Sequence, residues 1–387
     1  VLSDQSVRAA LFAFALTRAI VFVIFILVPH VQSLNPSSPA GEGRDVSISL
    51  DRLSPARTLR PLAGRGDGGW YIGIAEHGYE KIPFTSGHHN WAFFPLYPLT
   101  LRAAAAVTGG YALTGMALSS VFLLLALVIL HKLCLSYGCD QATADRAVFY
   151  AAAFPTSYFY SLPQTESLFL LLTVGSFYAA VRERWTLAGV CGALASATRF
   201  VGVLMLPTLL LLYWQRRRTT LRASALGILL SPLGVPAYAL YLRWITGNAF
   251  AFRDAHAAWG RGRTGLFITP LWEYLTHPSE VAPPTGGGNF NLLHVAAALT
   301  AFACGYKLLR RREWALSFYT LASIIIPLTT LSVMAATRYV MVIFPVYVVL
   351  GAAGQRPVLD QTIRSLLLVL FGIMTLLFAA YFNLAFT

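Results

Sequence analysis

Charge and cysteine are both scarce in this chain. Only 12% of its 387 residues are Asp, Glu, Lys or Arg, about half the share found in soluble domains. That scarcity excludes an ordinary water-soluble globular fold. The four cysteines, Cys134, Cys139, Cys191 and Cys304, form no CxxC pair and lie in or beside apolar runs, so structural disulfides are not expected. No HExxH, Walker loop, GxSxG or sustained internal repeat occurs, and soluble hydrolases and ATPases lose their usual support. No cleavable leader is expected either. The first apolar run spans a bilayer's length without a small-residue cleavage site and reads as a signal anchor, while the absent initiator Met points to a processed start.

What the chain has instead is apolar length. Hydrophobic residues make up 57% of it and the mean hydropathy is +0.62. A helix crossing the hydrocarbon core needs about 20 apolar residues at about 1.5 Å each, and such runs recur from end to end. Their length favours helices over barrel strands. The expected architecture is an all-α polytopic membrane protein, a single domain over 1–387. Eleven spans are predicted, near 8–29, 112–134, 145–161, 165–181, 185–198, 200–215, 223–245, 289–308, 314–334, 339–354 and 363–385. The division at Arg199 follows because a lone arginine in mid-bilayer costs a few kcal/mol.

Basic residues then set the orientation. With the N-terminus inside, every short cytoplasmic turn is basic: Lys132 and Arg146, Arg182 and Arg184, Arg216 to Arg218 with Arg222, Lys307 with Arg310 to Arg312, and Arg356 with Arg364. The net charge of +13 therefore reports topology rather than nucleic-acid binding, and the basic collar favours anionic lipid head groups. Two long outer segments remain, 30–111 and 246–288. In the first, 33–64 is loop-like, 70–77 forms a short interfacial helix, and a helix over 92–108 lies along the outer surface, ending at Gly109-Gly110.

Six polar stretches interrupt this lipid-like sequence, and the topology places all of them on the outer side: 67–79 (DGGWYIGIAEHGY), 88–98 (HHNWAFFPLYP), 164–167 (QTES), 198–200 (TRF), 256–263, and 337–339 (TRY). Asp67 stands among Gly66, Gly68 and Gly69, which let backbone bend closely around a carboxylate. It is either a catalytic group or an N-cap for the following helix. His88 and His89 lack the spacing of a metal site, and no metal is expected.

Several of these stretches together resemble the PIG-V-like mannosyltransferases, whose members include the enzyme adding the second mannose of the glycosylphosphatidylinositol anchor. The residues carrying the resemblance are Asp67 before Trp70-Tyr71, IAEHGY at 74–79, AFFPLYP at 92–98, PTSYFYSLPQTESLF at 155–169 and ATRFVG at 197–202. It extends to the TRY segment. The resemblance implies a glycosyltransferase C-type bundle whose first outer loop carries a catalytic carboxylate and whose donor is a polyprenyl-phosphate sugar. The family motif Trp-Asp-Ala stands here as Gly66-Asp67-Gly68.

From this follow the expected roles. Asp67 acts as general base in an inverting transfer of mannose to a glycolipid or glycan acceptor. Arg199 and Arg338 bind the donor phosphate, with snorkelling to the interface or pairing with an acid such as Glu166 as their structural alternatives. Glu76, His77, Tyr97, Gln164, Glu166, His256 and Trp259 contact sugar or acceptor. No cofactor beyond the lipid donor is expected. A lipid-linked sugar flippase or transporter is the competing reading. It would place ionisable residues and broken helices in mid-membrane. The Ala- and Arg-rich, Lys-poor composition points to a bacterial plasma membrane, with the endoplasmic reticulum as the other location.

Overall fold

Proline and glycine decide where the helices of this chain stop. The computed structural model describes residues 4–33, 55–216, 223–277 and 291–381, and among these no strand occurs. The first helix, α1 (Gln5–Ser33), is followed by two short helices, α2 (Pro55–Ala63) and α3 (Asp67–His77). Next, α4 (Leu96–Thr108) ends on Gly109, whose φ of 77° lies in the left-handed region that glycine tolerates. Beyond it run α5 (Tyr111–Ser136), α6 (Gln141–Ala152), α7 (Glu166–Val181), α8 (Trp185–Ser196) and α9 (Met205–Arg216). A 3₁₀ segment, Ala223–Leu230, leads into α10 (Gly234–Thr246), and then come α11 (Ala251–Asp254) and α12 (Ile268–Thr276). The C-terminal part comprises α13 (Asn291–Arg310), α14 (Trp314–Leu328), α15 (Ala336–Met341), α16 (Phe344–Ala353) and α17 (Pro357–Ala379).

Among the described residues, five stretches are long and apolar enough to cross a membrane: Gln5–Val28, Tyr111–Ser136, Ala223–Thr246, Leu292–Arg310 and Pro357–Ala379. Shorter apolar helices cover Glu166–Val181, Trp185–Ser196, Phe200–Arg216 and Trp314–Leu328. The protein is a multi-pass helical membrane protein. The expected break at Arg199 is present: α8 stops at Ser196, Arg199 is extended (φ −151°, ψ 144°), and a 3₁₀ turn starts the next helix.

Three expectations need correction. The predicted span 145–161 is not one helix, because α6 ends at Ala152 and a 3₁₀ turn, Ser157–Ser161, follows. Pro155 has no N–H to continue the α6 ladder. The predicted span 339–354 is likewise divided between α15 and α16, with a proline in the first turn of α16. Part of the stretch expected to be loop, 33–64, forms α2, which starts with Pro55 at a position where its missing N–H is harmless. The rest, 34–54, lies outside the described residues, as do Pro283-Pro284 and Gly286 to Gly288 of the second outer segment.

α5 serves as a ruler for the molecule. Near its start, Tyr97 donates to the Gly115 carbonyl, and a Cβ on Gly115 would lie 2.7 Å from Pro163. Seventeen residues on, about 25 Å away along the helix, Lys132 pairs with Asp4 at 2.9 Å and His131 meets Asp145 at 2.8 Å. At this same end Arg216 lies 4.7 Å over the Tyr137 ring. The basic turns thus gather at one end, and the segment carrying Gln164 and Glu166 at the other.

Arg18 ties the broken segment to α1. It is 2% exposed, and its guanidinium donates to the carbonyls of Ser157 (2.8 Å) and Ala152 (3.1 Å) and to the hydroxyls of Ser161 (2.9 Å) and Ser157 (3.0 Å). Those carbonyls are where α6 stops and the 3₁₀ turn starts, so an arginine replaces the missing helix donors. Because hydrogen bonds to a charged group contribute about 1.5–3 kcal/mol each, Arg18→Leu is expected to lower stability by about 3 kcal/mol or more. Thermal unfolding of the purified protein checks this, and an unchanged midpoint would mean that other contacts hold the segment.

Candidate functional site

The N-terminus of α3 is built around glycines. Gly66 adopts φ 58°, ψ −134°, a conformation open to glycine but not to a bulky residue. A Cβ on Gly68 would sit 2.2 Å from the Ala63 carbonyl oxygen, where α2 abuts α3. The departure from Trp-Asp-Ala therefore has a structural cause: neither a Trp at 66 nor an Ala at 68 fits this backbone. Gly66 takes the N-cap position and Asp67 is the first residue of α3; among the described residues the Asp67 side chain accepts from Arg338 and from no helical N–H. The N-cap alternative is not what the carboxylate does.

Instead the carboxylate crosses to another part of the chain. Asp67 Oδ2 accepts from Arg338 Nη2 at 2.9 Å, and the same nitrogen donates to Gln164 Oε1 at 2.9 Å and Glu166 Oε1 at 2.6 Å. Arg199 Nη1 reaches Glu166 Oε1 at 3.2 Å. Four of the six stretches thus meet in one network of two carboxylates and two guanidiniums. Glu166 is fully buried and Gln164 is 1% exposed, whereas Asp67 keeps 35% of its side-chain surface accessible. Within the network, Glu166 Oε2 and Arg338 Nε are buried without a partner. Both expected phosphate ligands pair with Glu166 here, as one of their structural alternatives required.

The remaining two stretches complete the same end. Trp70 stacks on Phe93 with centroids 5.5 Å apart, and Trp259 meets the edge of Trp70 at 6.0 Å, joining the two outer segments. His88 packs against Trp259 at 4.8 Å and His256 lies 6.3 Å from it. Burial lowers the pKa of His256, against the opposing pulls of its Phe252 carbonyl contact and the Asp67 carboxylate. Arg261 donates to the Tyr339 hydroxyl and lies 5.3 Å over that ring, next to Arg338. Partly buried indoles beside a carboxylate and guanidiniums suit a sugar phosphate, with apolar ring faces on one side and charge on the other.

Glu76 and His77 do not join this cluster. They lie nine and ten residues along α3, about 14 Å of axial rise from Asp67, exposed and 3.7 Å from each other. Tyr97 is also absent from it. Its ring is fully buried and its hydroxyl is engaged by Ser119 at 2.7 Å and the Gly115 carbonyl at 3.1 Å, so it packs α4 on α5. Conversely, two supporting residues escaped the sequence reading. His294, fully buried, contacts the Thr337 hydroxyl at 3.0 Å, and Ala335 holds φ 63° just before α15. Left-handed backbone at a non-glycine costs about 1–3 kcal/mol and tends to sit beside functional residues.

Removing one partner from a buried ion network strands the other charges, at a cost of about 3–5 kcal/mol. Glu166→Gln is therefore expected to lower the thermal midpoint far more than Asp67→Asn, whose carboxylate is a third accessible. Equal, small shifts would show that the network contributes little to folding.

The sequence profile of the mannosyltransferase (PIG-V) family matches residues 7–221, more than half of the chain. That region contains Asp67, Gln164, Glu166 and Arg199 but ends before Arg338, so the TRY segment is tied to the site by geometry. The GPI alpha-1,6-mannosyltransferase 2 of Rattus norvegicus is 30% identical over 208 residues, covering 50% of this chain and 39% of that protein. The Cricetulus griseus protein of the same name is 31% identical over 219 residues, covering 53% and 42%. The chain thus matches about two fifths of these relatives' length. Among solved structures, an Archaeoglobus fulgidus oligosaccharyltransferase aligns with a TM-score of 0.46 at 16% identity, over 96% of this chain and 55% of that one.

Proposed function

The chain belongs to the PIG-V mannosyltransferase family, and on that premise we propose that it transfers mannose from a polyprenyl-phosphate donor to a glycolipid or glycan acceptor, with inversion. The fold is then a glycosyltransferase C-type bundle, and the reaction takes place at the membrane face carrying Asp67. The basic residues at the far end support an extracytoplasmic assignment for that face, in a bacterial plasma membrane or, failing that, the endoplasmic reticulum. The observation that carries the reading is that the half-buried Asp67 carboxylate is held by a side chain, Arg338, and not by helical N–H groups.

The chemistry needs one base. An acceptor hydroxyl oxygen attacks the anomeric carbon, the bond from that carbon to the phosphate oxygen breaks, polyprenyl phosphate leaves, and the hydroxyl proton passes to Asp67. Phosphate is already a stable leaving group, so no strong acid is required. The donor has no diphosphate to neutralise, and two guanidiniums, Arg338 and Arg199, take its charge in place of a metal. Trp70 and Trp259 offer ring faces for the sugar, and Gln164 and His256 offer hydrogen bonds.

A lipid-linked sugar carrier is the second reading, and one observation favours it: Arg18 is a buried arginine about 20 Å along α1 beside a broken segment. Its terminal nitrogens donate to that segment and its Nε to Thr17 on the same helix, however, which explains it without a transported ligand.

Radiolabelled polyprenyl-phosphate mannose and a membrane extract as acceptor source separate the two. Asp67→Asn is expected to lower transfer by about 10²–10⁴-fold, the usual range for a lost general base, with donor binding retained. Arg338→Ala is expected to weaken donor binding. Near-parental transfer by Asp67→Asn would remove Asp67 from the role, and donor translocation without transfer would favour the carrier.

A further inference from the structure

Away from the Asp67 network, an open groove of about 680 Å³ lies at the basic end of the molecule, between α1, α6 and α17. Two arginines line it, Arg8 on α1 and Arg364 on α17. Arg364 is fixed in place: its Nε donates to Asp360 at 2.7 Å and its guanidinium sits 5.1 Å over the Phe149 ring. Among the described residues no hydrogen bond engages its two terminal nitrogens.

Further along α1 the lining changes. Phe12 lies one turn beyond Arg8 on the same face of α1, about 6 Å further from the helix start. It is 65% exposed and borders the groove with Ala13. Along α1 the lining therefore passes from guanidinium to hydrocarbon, on a helix long and apolar enough to cross a membrane. A soluble anion would use only the arginine end and an apolar metabolite only the Phe12 end. A molecule with a phosphate head and an acyl chain uses both.

We propose that this groove binds an anionic glycerophospholipid drawn from the leaflet opposite the Asp67 site, with its phosphate between Arg8 and Arg364 and one acyl chain along Phe12 and Ala13. The carboxylate on the wall, Asp145, does not oppose this strongly. Its Oδ1 is already shared by His131 and Gln141, each at 2.8 Å, while its accessible surface offers an acceptor to a hydroxyl-bearing head group. Phosphatidylglycerol has that chemistry, so it is the probe of choice.

The test uses the full chain, delipidated and placed in phosphatidylcholine nanodiscs, with binding of labelled phosphatidylglycerol measured against labelled phosphatidylcholine. Phosphatidylglycerol is expected to bind more tightly, and Arg8→Gln and Arg364→Gln to weaken it about fivefold each, the effect of one basic residue near an anionic surface. The control is the double variant Arg182→Gln with Arg184→Gln, which removes charge at the same end outside the groove and is expected to change nothing. Equal binding of the two lipids, or equal losses in control and groove variants, would overturn the proposal in favour of diffuse attraction. If Arg364→Gln fails to fold, Arg8→Gln at its exposed position decides alone.

Discussion

One nitrogen, Nη2 of Arg338, holds three acceptors from segments 172, 174 and 271 residues away in the chain. Everything at this end of the molecule is arranged around it. With Arg199 on the same Glu166 oxygen, two positive and two negative groups balance in a largely buried setting. That balance is what makes their burial tolerable, since a single unpaired charge in low dielectric costs several kcal/mol. It is a poor device for stability, because well-packed apolar side chains of similar volume would serve as well or better. Charges kept in such a place, with Glu166 Oε2 and Arg338 Nε lacking partners among the described residues, fit the proposed grip on a charged donor.

The network depends in turn on a broken helix. Gln164 and Glu166 stand where they do because α6 stops at Ala152 and a 3₁₀ turn carries the chain across to α7. Exposed carbonyls at that break would be costly in a membrane interior, and Arg18 satisfies two of them. So a side chain on α1 supports the turn, the turn presents Glu166, and Glu166 anchors both arginines. On the opposite wall the same logic runs through glycine: Gly66 and Gly68 let α3 start against α2, which aims Asp67 at Arg338.

Much of this was legible in the sequence, for reasons that differ by feature. Apolar run length gave the helical membrane class, and the cost of a lone arginine located the break at Arg199. Polar residues in lipid-like sequence marked six stretches, and their convergence at one end is what the contacts display. Other features were hidden because they are tertiary. Nothing in the local sequence distinguishes Tyr97, which packs α4 on α5, from a sugar-facing tyrosine. Glu76 and His77 sit on the same short helix as Asp67, yet 14 Å of helical rise separates them, about two and a half turns. Pro155 and Pro163 signalled the interrupted span 145–161, but hydropathy outweighed them. Arg18 was the matching clue, an arginine in an apolar run whose partner lies 139 residues on.

The exposure gradient within the network also says which bond gives way first. Arg338 Nη2 has two hydrogens for three acceptors, so at least one hydrogen is shared and that contact is weakened. Glu166 is fully buried and would be left without solvation if its arginine moved off, whereas Asp67 is a third accessible and water can replace the lost contact. In the proposed transfer, the contact that an arriving phosphodiester displaces at the least cost is therefore Asp67 on Arg338, which leaves Glu166 holding Arg199. In the proposed transfer this ordering couples the two halves of the chemistry: the guanidinium that receives the phosphate is the group that had occupied the base, so the carboxylate becomes available when a donor is present to use it.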